Sequence, residues 1–304
     1  LRKVYCIGET VLDVIFREGK VVSAQPGGSM LNTAISLARA GMEVEFISDF
    51  GLDRPGDLVG EFLKQNGVST RFVSRYADGK TTLALAFLDE QREAAYSFYR
   101  DLPSSRLDID LPVTAPDDLV LFGSFYALTP AIREKLVSFV RAAKQQGSLV
   151  IYDPNFRKPH LHELPALKPR ILENIAMADL VRGSDEDFLH IFAAATAQAA
   201  WSHFPPDVIL VCTTGGRMVE VLGAGKHLRF PVPEIEVVST VGAGDAFNAG
   251  LISAIVQRGM TRETLPLAGE QEWHEMTGTG IRFAQDVCLQ YDNYISDEMI
   301  KSLG

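Results

Sequence analysis

Short apolar runs alternate with helix-spaced stretches along most of this chain, and glycine often marks the change. Residues 4–8, 119–122, 149–152, 180–181 and 208–212 are apolar without a polar face, as strands covered on both sides must be, and 44–47 is a further strand run interrupted by Glu45. Residues 32–39, 57–66, 130–146, 166–178, 186–201, 244–256 and 278–288 carry helical spacing, and Gly41, Gly67, Gly147 and Gly259 stand where helix C-caps belong. Strands and helices in this order predict an α/β fold with a mostly parallel sheet and helices on both faces. The rhythm breaks after residue 71. Runs 81–88 and 95–99 are strand-like, the turn Asp89-Glu90-Gln91-Arg92-Glu93 joins them, and Ala77-Asp78-Gly79-Lys80 precedes them. These are hairpin signals. With the stretch 19–24 they predict a small second sheet that leaves the core and covers something, and 11–16 is a further strand-like run. A further strand is expected at 219–222. No repeat, low-complexity tract or Pro/Gly linker divides the 304 residues, so one domain is expected over 1–304.

Composition narrows the function classes. Lys plus Arg is 29 against 39 Asp plus Glu, a formal charge of −10, which argues against a general partner in nucleic acid or anionic membrane. A local nest of backbone N–H groups still binds phosphate on an acidic protein. Cys6, Cys212 and Cys288 lie far apart and suggest neither disulfides nor a zinc site. No apolar run is long enough for a membrane span, and Leu1-Arg2-Lys3 leads into a strand with no signal-peptide pattern. The expectation is a cytoplasmic protein.

Two motifs carry chemistry. In Ser239-Thr240-Val241-Gly242-Ala243-Gly244-Asp245-Ala246-Phe247-Asn248-Ala249-Gly250 a turn of small residues opens a helix. Free amides and the helix dipole make an anion site there, and Asp245 stands where it can take a proton from an attacking hydroxyl. The amides of Gly242, Ala243 and Gly244 are the candidate oxyanion donors. Gly27-Gly28-Ser29-Met30-Leu31-Asn32 opens another helix and offers hydrogen bonds to a polyol, with Asp13 as a further acceptor. Taken singly, each motif also reads as a helix cap, the first as a Gly-Ala-Gly turn and the second as a turn with Asn32 at the N-cap.

Together, the two glycine motifs resemble the PfkB family, the ribokinase-like carbohydrate kinases, over essentially the whole chain. Asp49-Phe50-Gly51-x-Asp53-x-x-Gly56 is similar to another block of that family. Phe98-Tyr99-Arg100 and Asp153-Pro154-Asn155-Phe156-Arg157 are similar to its fructokinase and 2-keto-3-deoxygluconate kinase branches. The resemblance implies a three-layer α/β/α ribokinase-like core and a β lid formed by segments near 12–26 and 71–101. It implies transfer of the γ-phosphoryl group of ATP to a sugar hydroxyl, with fructose the first candidate and 2-keto-3-deoxygluconate or ribose next. By resemblance Asp245 is the base, and Gly242, Ala243 and Gly244 form the anion hole. Asp13, Gly27, Gly28, Asn32 and Arg100 hold the sugar. Asn155, Arg157, Ser184, Thr213 and Gly215 serve the nucleotide and its phosphates. Mg2+ accompanies ATP, with Asp187 an indirect contributor, and the lid offers a homodimer surface.

The chain departs from the family pattern at three places. Ser239 replaces an Asp that helps hold a monovalent cation in several members, so potassium dependence does not carry over. Met218 stands for a Gly of the nucleotide turn. Ser184-Asp185-Glu186-Asp187 replaces Asn-x-x-Glu, and equally reads as an acidic helix start. These departures leave open a sugar- or nucleotide-binding protein that has lost catalysis. Ser74–Thr81 narrowly misses a P-loop, lacking its first Gly and lying in a hairpin, and Phe247 replaces the third Gly of a dinucleotide fingerprint. His160, His162 and Glu163 read as solvated loop residues rather than a metal site, and exposed positions are the alternative for Arg100 and Arg157.

Overall fold

The computed structural model describes residues 2–88 and 94–303. The chain runs through β1 (Lys3–Ile7), β2 (Val11–Arg17), β3 (Lys20–Gly27), α1 (Ser29–Arg39), β4 (Glu43–Gly51), α2 (Arg54–Gln65) and β5 (Ser69–Tyr76). Next come β6 (Lys80–Leu88), β7 (Ala94–Asp101), β8 (Leu119–Gly123), α3 (Pro130–Gln145), β9 (Leu149–Asp153), α4 (Leu164–Met177) and β10 (Leu180–Ser184). It ends with α5 (Asp185–Phe192), α6 (Ala197–Trp201), β11 (Ile209–Thr214), β12 (Met218–Gly223), β13 (Lys226–Pro231), α7 (Ala243–Gln257), α8 (Glu270–Cys288) and α9 (Asp297–Leu303).

The large sheet has the order β13-β12-β11-β10-β9-β8-β1-β4-β5. It is parallel from β11 to β5, and β12 and β13 fold back antiparallel at one edge. The two-residue period of a strand divides its side chains between two cores. Val4, Cys6, Leu119, Leu121 and Ile151 pack with α1, α7 and α8, whereas Tyr5, Ile7, Val120, Phe122 and Tyr152 pack with α3, α4 and α5. That is the expected three-layer α/β/α arrangement. All three cysteines are buried and free.

The small sheet has the order β3-β2-β6-β7. Its two hairpins are antiparallel, but β2 and β6 join them in parallel, with Asp13 opposite Ala84. Of the stretch 71–101, residues through Tyr76 form the edge of the large sheet on β5, and the small sheet takes up the chain at Lys80. The expected turn at 89–93 lies outside the described residues.

Four local differences from the sequence reading have physical causes. The helix expected over 186–201 is two, because Ala193 takes a left-handed φ of 55° and Thr196 caps a new helix by accepting from the Ala199 N–H. Helix α1 starts at Ser29, so Asn32 lies buried within it and does not cap it. Helix α8 starts at Glu270, where Glu272 accepts from the Gly269 N–H. Strand β13 is a half-exposed edge strand whose mixed residues gave no buried-strand signal.

The chain enters the small sheet twice, and the second excursion, β6–β7, is fastened at both ends to the end of β4, which gives the Asp49–Gly56 block its role. Asp53 accepts from Gly56 N–H and from both the N–H and hydroxyl of Thr81, where the chain enters β6. Asp49 accepts from Arg106 Nε at 2.9 Å and Nη2 at 2.6 Å, from the Leu107 N–H and from the Tyr126 hydroxyl, where the chain returns to the core. The Asp49 side chain is 0% exposed and that of Arg106 7%. Asp49→Ala strands a buried guanidinium, and the expected loss of stability is about 3–5 kcal/mol. Urea unfolding measures it; a loss below about 1 kcal/mol, the scale of an exposed ion pair, would show the pair to be dispensable.

Candidate active site

Helices α1 and α7 begin at the same place, and their first turns build the site. Gly28 caps α1 with a φ of 133°, open only to glycine, and a Cβ there would lie 2.4 Å from the Glu9 carbonyl oxygen. Gly242 caps α7 in the left-handed region at φ 82°, where a Cβ would meet the backbone of Asn293. In the first turn of α7 the Asp245 carboxylate is buried, 6% exposed, and both oxygens are engaged from α1. The Ser29 hydroxyl donates to Oδ1 at 2.6 Å and Asn32 Nδ2 to Oδ2 at 2.8 Å. The Thr33 hydroxyl donates to the Asp245 carbonyl at 3.1 Å.

Burial pushes the Asp245 carboxyl up to about 6, and the charge of Asp153 adds to that. The Ser29 and Asn32 bonds and Arg157 pull the other way. The result is a carboxylate that is ionised at neutral pH yet basic enough to accept a proton in a transition state. Beside it, the Gly242 and Gly244 N–H groups donate to nothing among the described residues, as expected of a helix start. The Ala243 N–H donates to the Thr240 carbonyl at 3.2 Å, which leaves the two glycines as the open donors of the proposed trio.

Opposite lies the end of β9. Asn155 takes a left-handed φ of 40°, its N–H donates to Asp153 Oδ1 at 2.8 Å, and its Nδ2 donates to the Ser29 hydroxyl at 3.2 Å. Arg157, exposed, donates to Asn155 Oδ1 at 3.2 Å. A carboxylate flanked by open amides, a polar cradle from a Gly-Gly turn, and an Asn/Arg pair facing both form a phosphoryl-transfer arrangement.

The model of the pfkB family of carbohydrate kinases matches residues 1–270. This chain belongs to that family. The sugar kinase is 28% identical over 274 residues to a fructokinase of Klebsiella pneumoniae, covering 88% of each chain. It is 28% identical over 269 residues to the probable chloroplastic fructokinase-6 of Arabidopsis thaliana, covering 83% of this chain and 70% of that one. Two solved structures share its fold. One is the fructokinase of Xylella fastidiosa with bound ATP, with TM-score 0.82, 22% identity, and 99% and 97% of the chains covered. The other is the aminoimidazole riboside kinase of Salmonella enterica with aminoimidazole riboside and an ATP analog, with TM-score 0.80, 20% identity and 99% of both chains covered.

The remaining candidate residues of the kinase fall in two groups. On the small-sheet side, Asp13 faces Gln25 and Ala84 across the sheet, and its carboxylate accepts no hydrogen bond among the described residues. Burial alone pushes its carboxyl up to about 6. Gly27 ends β3, and a Cβ there would sit 2.0 Å from Asp13 Oδ2. Arg100 is exposed on β7, its guanidinium over the Phe98 ring at 4.8 Å. On the nucleotide side, Thr213 ends β11 and accepts from Arg182 Nη2, while Gly215 turns the chain at φ 45°. Ser184 and Asp187 close a capping box on α5. Asp187 accepts from the Ser184 N–H and hydroxyl with one oxygen and from the Phe156 N–H with the other.

No group of three metal-ligating side chains stands together among the described residues. His160 instead stacks on Phe125 and pairs with Glu163 at 2.8 Å. Cavities of about 250 and 340 Å3 open at the other end of the sheet, around the Lys144–Asp179–Arg262 ion pairs, and hold none of the site residues.

Sequence reasoning passed over Ser29, Glu9 and Arg182. Ser29 lay inside a quoted motif, but only its contact with a residue 216 positions away gives it a role. Glu9 lies just past β1, beside Gly28; burial raises its carboxyl against the pull of Arg100, Arg106 and His160. Arg182 had a visible signal, a charge inside the strand run Leu180-Val181-Arg182-Gly183.

Two outcomes follow from the raised carboxyls. The pH profile of kcat/KM has an acid limb with a midpoint near 6, because protonated Asp245 accepts no proton; a limb near 4, the ordinary carboxyl value, rules this environment out. A carboxyl whose folded value is raised stabilises the fold fully below its unfolded value and loses that contribution as pH rises through the folded value. Asp13→Asn therefore raises Tm at pH 8, and the gain disappears by about pH 4. Equal Tm values at both pH values contradict an unpaired, buried Asp13.

Proposed function

We propose that the chain is an ATP-dependent fructokinase with Asp245 as catalytic base. The observation that carries this is the Asp245 carboxylate, held by Ser29 and Asn32 at the open N-terminus of α7. Fructose is favoured because curated relatives at 28% identity are named fructokinase, and because Phe98-Tyr99-Arg100 and the 153–157 block are similar to the fructokinase and 2-keto-3-deoxygluconate kinase branches.

In this reading the sugar lies beneath the small sheet, against Asp13, Gly27, Gly28 and Asn32. Its reacting hydroxyl faces Asp245, which takes the proton as the oxygen attacks the γ-phosphorus. The amides of Gly242 and Gly244 receive the charge of the transferring group, and Asn155 and Arg157 steady its oxygens. Thr213 and Gly215 line the nucleotide turn. The small sheet excludes water, the competing acceptor. Mg2+ is carried in on the ATP phosphates: the site carboxylates do not form a metal cage, since Asp187 gives both oxygens to protein donors, and no step depends on a protein-held ion. The small-sheet segments 12–26 and 80–101, working within one domain, supply a face for a second copy, with Val21, Phe87 and Tyr99 exposed by 56%, 43% and 59%. Acidic charge and no helix apolar and long enough to cross a membrane, among the described residues, support work in the cytoplasm on small molecules.

Arg100 supports the second reading. It forms no ion pair among the described residues, and a keto acid such as 2-keto-3-deoxygluconate needs a cation for its carboxylate. ADP release with Mg-ATP across fructose, 2-keto-3-deoxygluconate, ribose and adenosine decides. Fructose is expected to turn over best, and Asp245→Asn to lose about 10²–10⁴-fold in kcat, the usual range for a general base, while still binding sugar. Turnover of none of the four, or an Asp245→Asn enzyme as fast as the wild type, would refute the assignment.

A further inference from the structure

Arg182 lies directly beneath the candidate anion hole. It is 5% exposed, and a Cβ placed on Gly244 would come within 2.8 Å of its Nη1. A side chain at position 244 would have to displace this guanidinium. Nη1 donates to Asp153 Oδ2 at 3.2 Å and Nη2 to the Thr213 hydroxyl at 2.8 Å. The guanidinium stands 5.3 Å from the centre of the Phe247 ring, and its Nε has no partner. Asp153 is itself 0% exposed and takes a second bond to Oδ2 from Asn248 at 2.6 Å.

These contacts join into one chain. Thr213, at the end of β11, is tied through Arg182 to Asp153, and Asp153 holds the Asn155 N–H at 2.8 Å. Asn155 donates to Ser29, and Ser29 donates to Asp245. Stability does not account for it. A buried ion pair with an unmatched Nε is no better than apolar residues of the same volume, and the strand neighbours Leu180 and Val181 are apolar. Positioning does account for it, because a fully enclosed network in a low dielectric holds its members to one geometry.

We infer that Arg182 and Asp153 are positioning residues for phosphoryl transfer, a buried ion pair that holds the nucleotide turn at Thr213 and the base at Asp245 in one hydrogen-bonded chain. The inference rests on the kinase reading above. Arg182 acts in two ways. Its fork fixes Thr213 and Asp153 relative to each other, and its charge lies against the backbone of Gly244 at the start of α7. Neither group meets the sugar, so their loss slows the chemical step and loosens the nucleotide without altering sugar recognition.

The test compares full-length wild type, Arg182→Gln, Arg182→Lys and Asn248→Ala by steady-state kinetics on the sugar that the wild type turns over, and by calorimetric titration with ADP. Arg182→Gln is expected to lose about 100-fold in kcat, the scale of a lost oxyanion donor. Its sugar KM should move less than about threefold, the mark of an interaction made only in the transition state. ADP binding weakens as Thr213 is released. Arg182→Lys keeps the charge but not the fork, and recovers about tenfold of the lost kcat. Asn248→Ala leaves the ion pair in place and should cost about tenfold in kcat, the value of one buried hydrogen bond to a charge, so the inference stays testable if Arg182→Gln does not fold. Folded variants with kcat and ADP affinity within about threefold of wild type overturn it, as does a lysine variant no better than glutamine. A wild type that phosphorylates no sugar overturns the kinase reading, and this inference falls with it; retained kcat in the variants of an active wild type overturns this inference alone.

Discussion

The fold and the site both depend on one buried carboxylate. Asp245 is removed from water, which disfavours its charge, and the compensation comes from Ser29 and Asn32 at the start of another helix. This ties α1 to α7 across 216 residues of sequence and sets the two helix starts side by side. The dipoles of both helices favour the anion between them. If the carboxylate were exposed, its basicity would be too low for the task; if it were buried without donors, it would stay protonated at neutral pH. Burial and the two donors together set it near 6, between those limits.

The same logic recurs wherever the small sheet meets the large one. Asp49 and Asp53, at and just past the end of β4, accept from backbone and side chains on the two chain segments that leave for the small sheet and return from it. The sheet is anchored there and where residues 8–10 and 28 join it to β1 and α1, while it presents exposed apolar residues such as Phe87 and Tyr99. An element fixed at one end and free at the other suits a cover over a substrate.

Much of this was legible in the sequence, and the limits were physical. Strands buried on both faces, such as 119–122 and 149–152, are apolar at every position, so the large sheet could be read directly. The glycine turns before α1 and α7 were legible because their backbone angles demand that residue. Ala193 was not, since alanine favours helix and yet takes a left-handed φ of 55° there. Strand β13 was missed because an edge strand need not be apolar. Asp187 illustrates a different limit: the sequence offers a carboxylate near a nucleotide site, and only the hydrogen bonds show that both oxygens are engaged within the protein. The pairing of Ser29 with Asp245 was beyond reach, because sequence pattern reports local periodicity and not which distant turns meet.

The most direct measurement follows the phosphorus itself. With Mg-ATP, fructose and purified protein, the 31P NMR spectrum is expected to show the γ-phosphate signal disappear as a sugar phosphate monoester grows in equal amount, with no inorganic phosphate. If inorganic phosphate accumulates instead, or ATP persists, then water is the acceptor or no transfer occurs, and Asp245 is not the base of a sugar kinase.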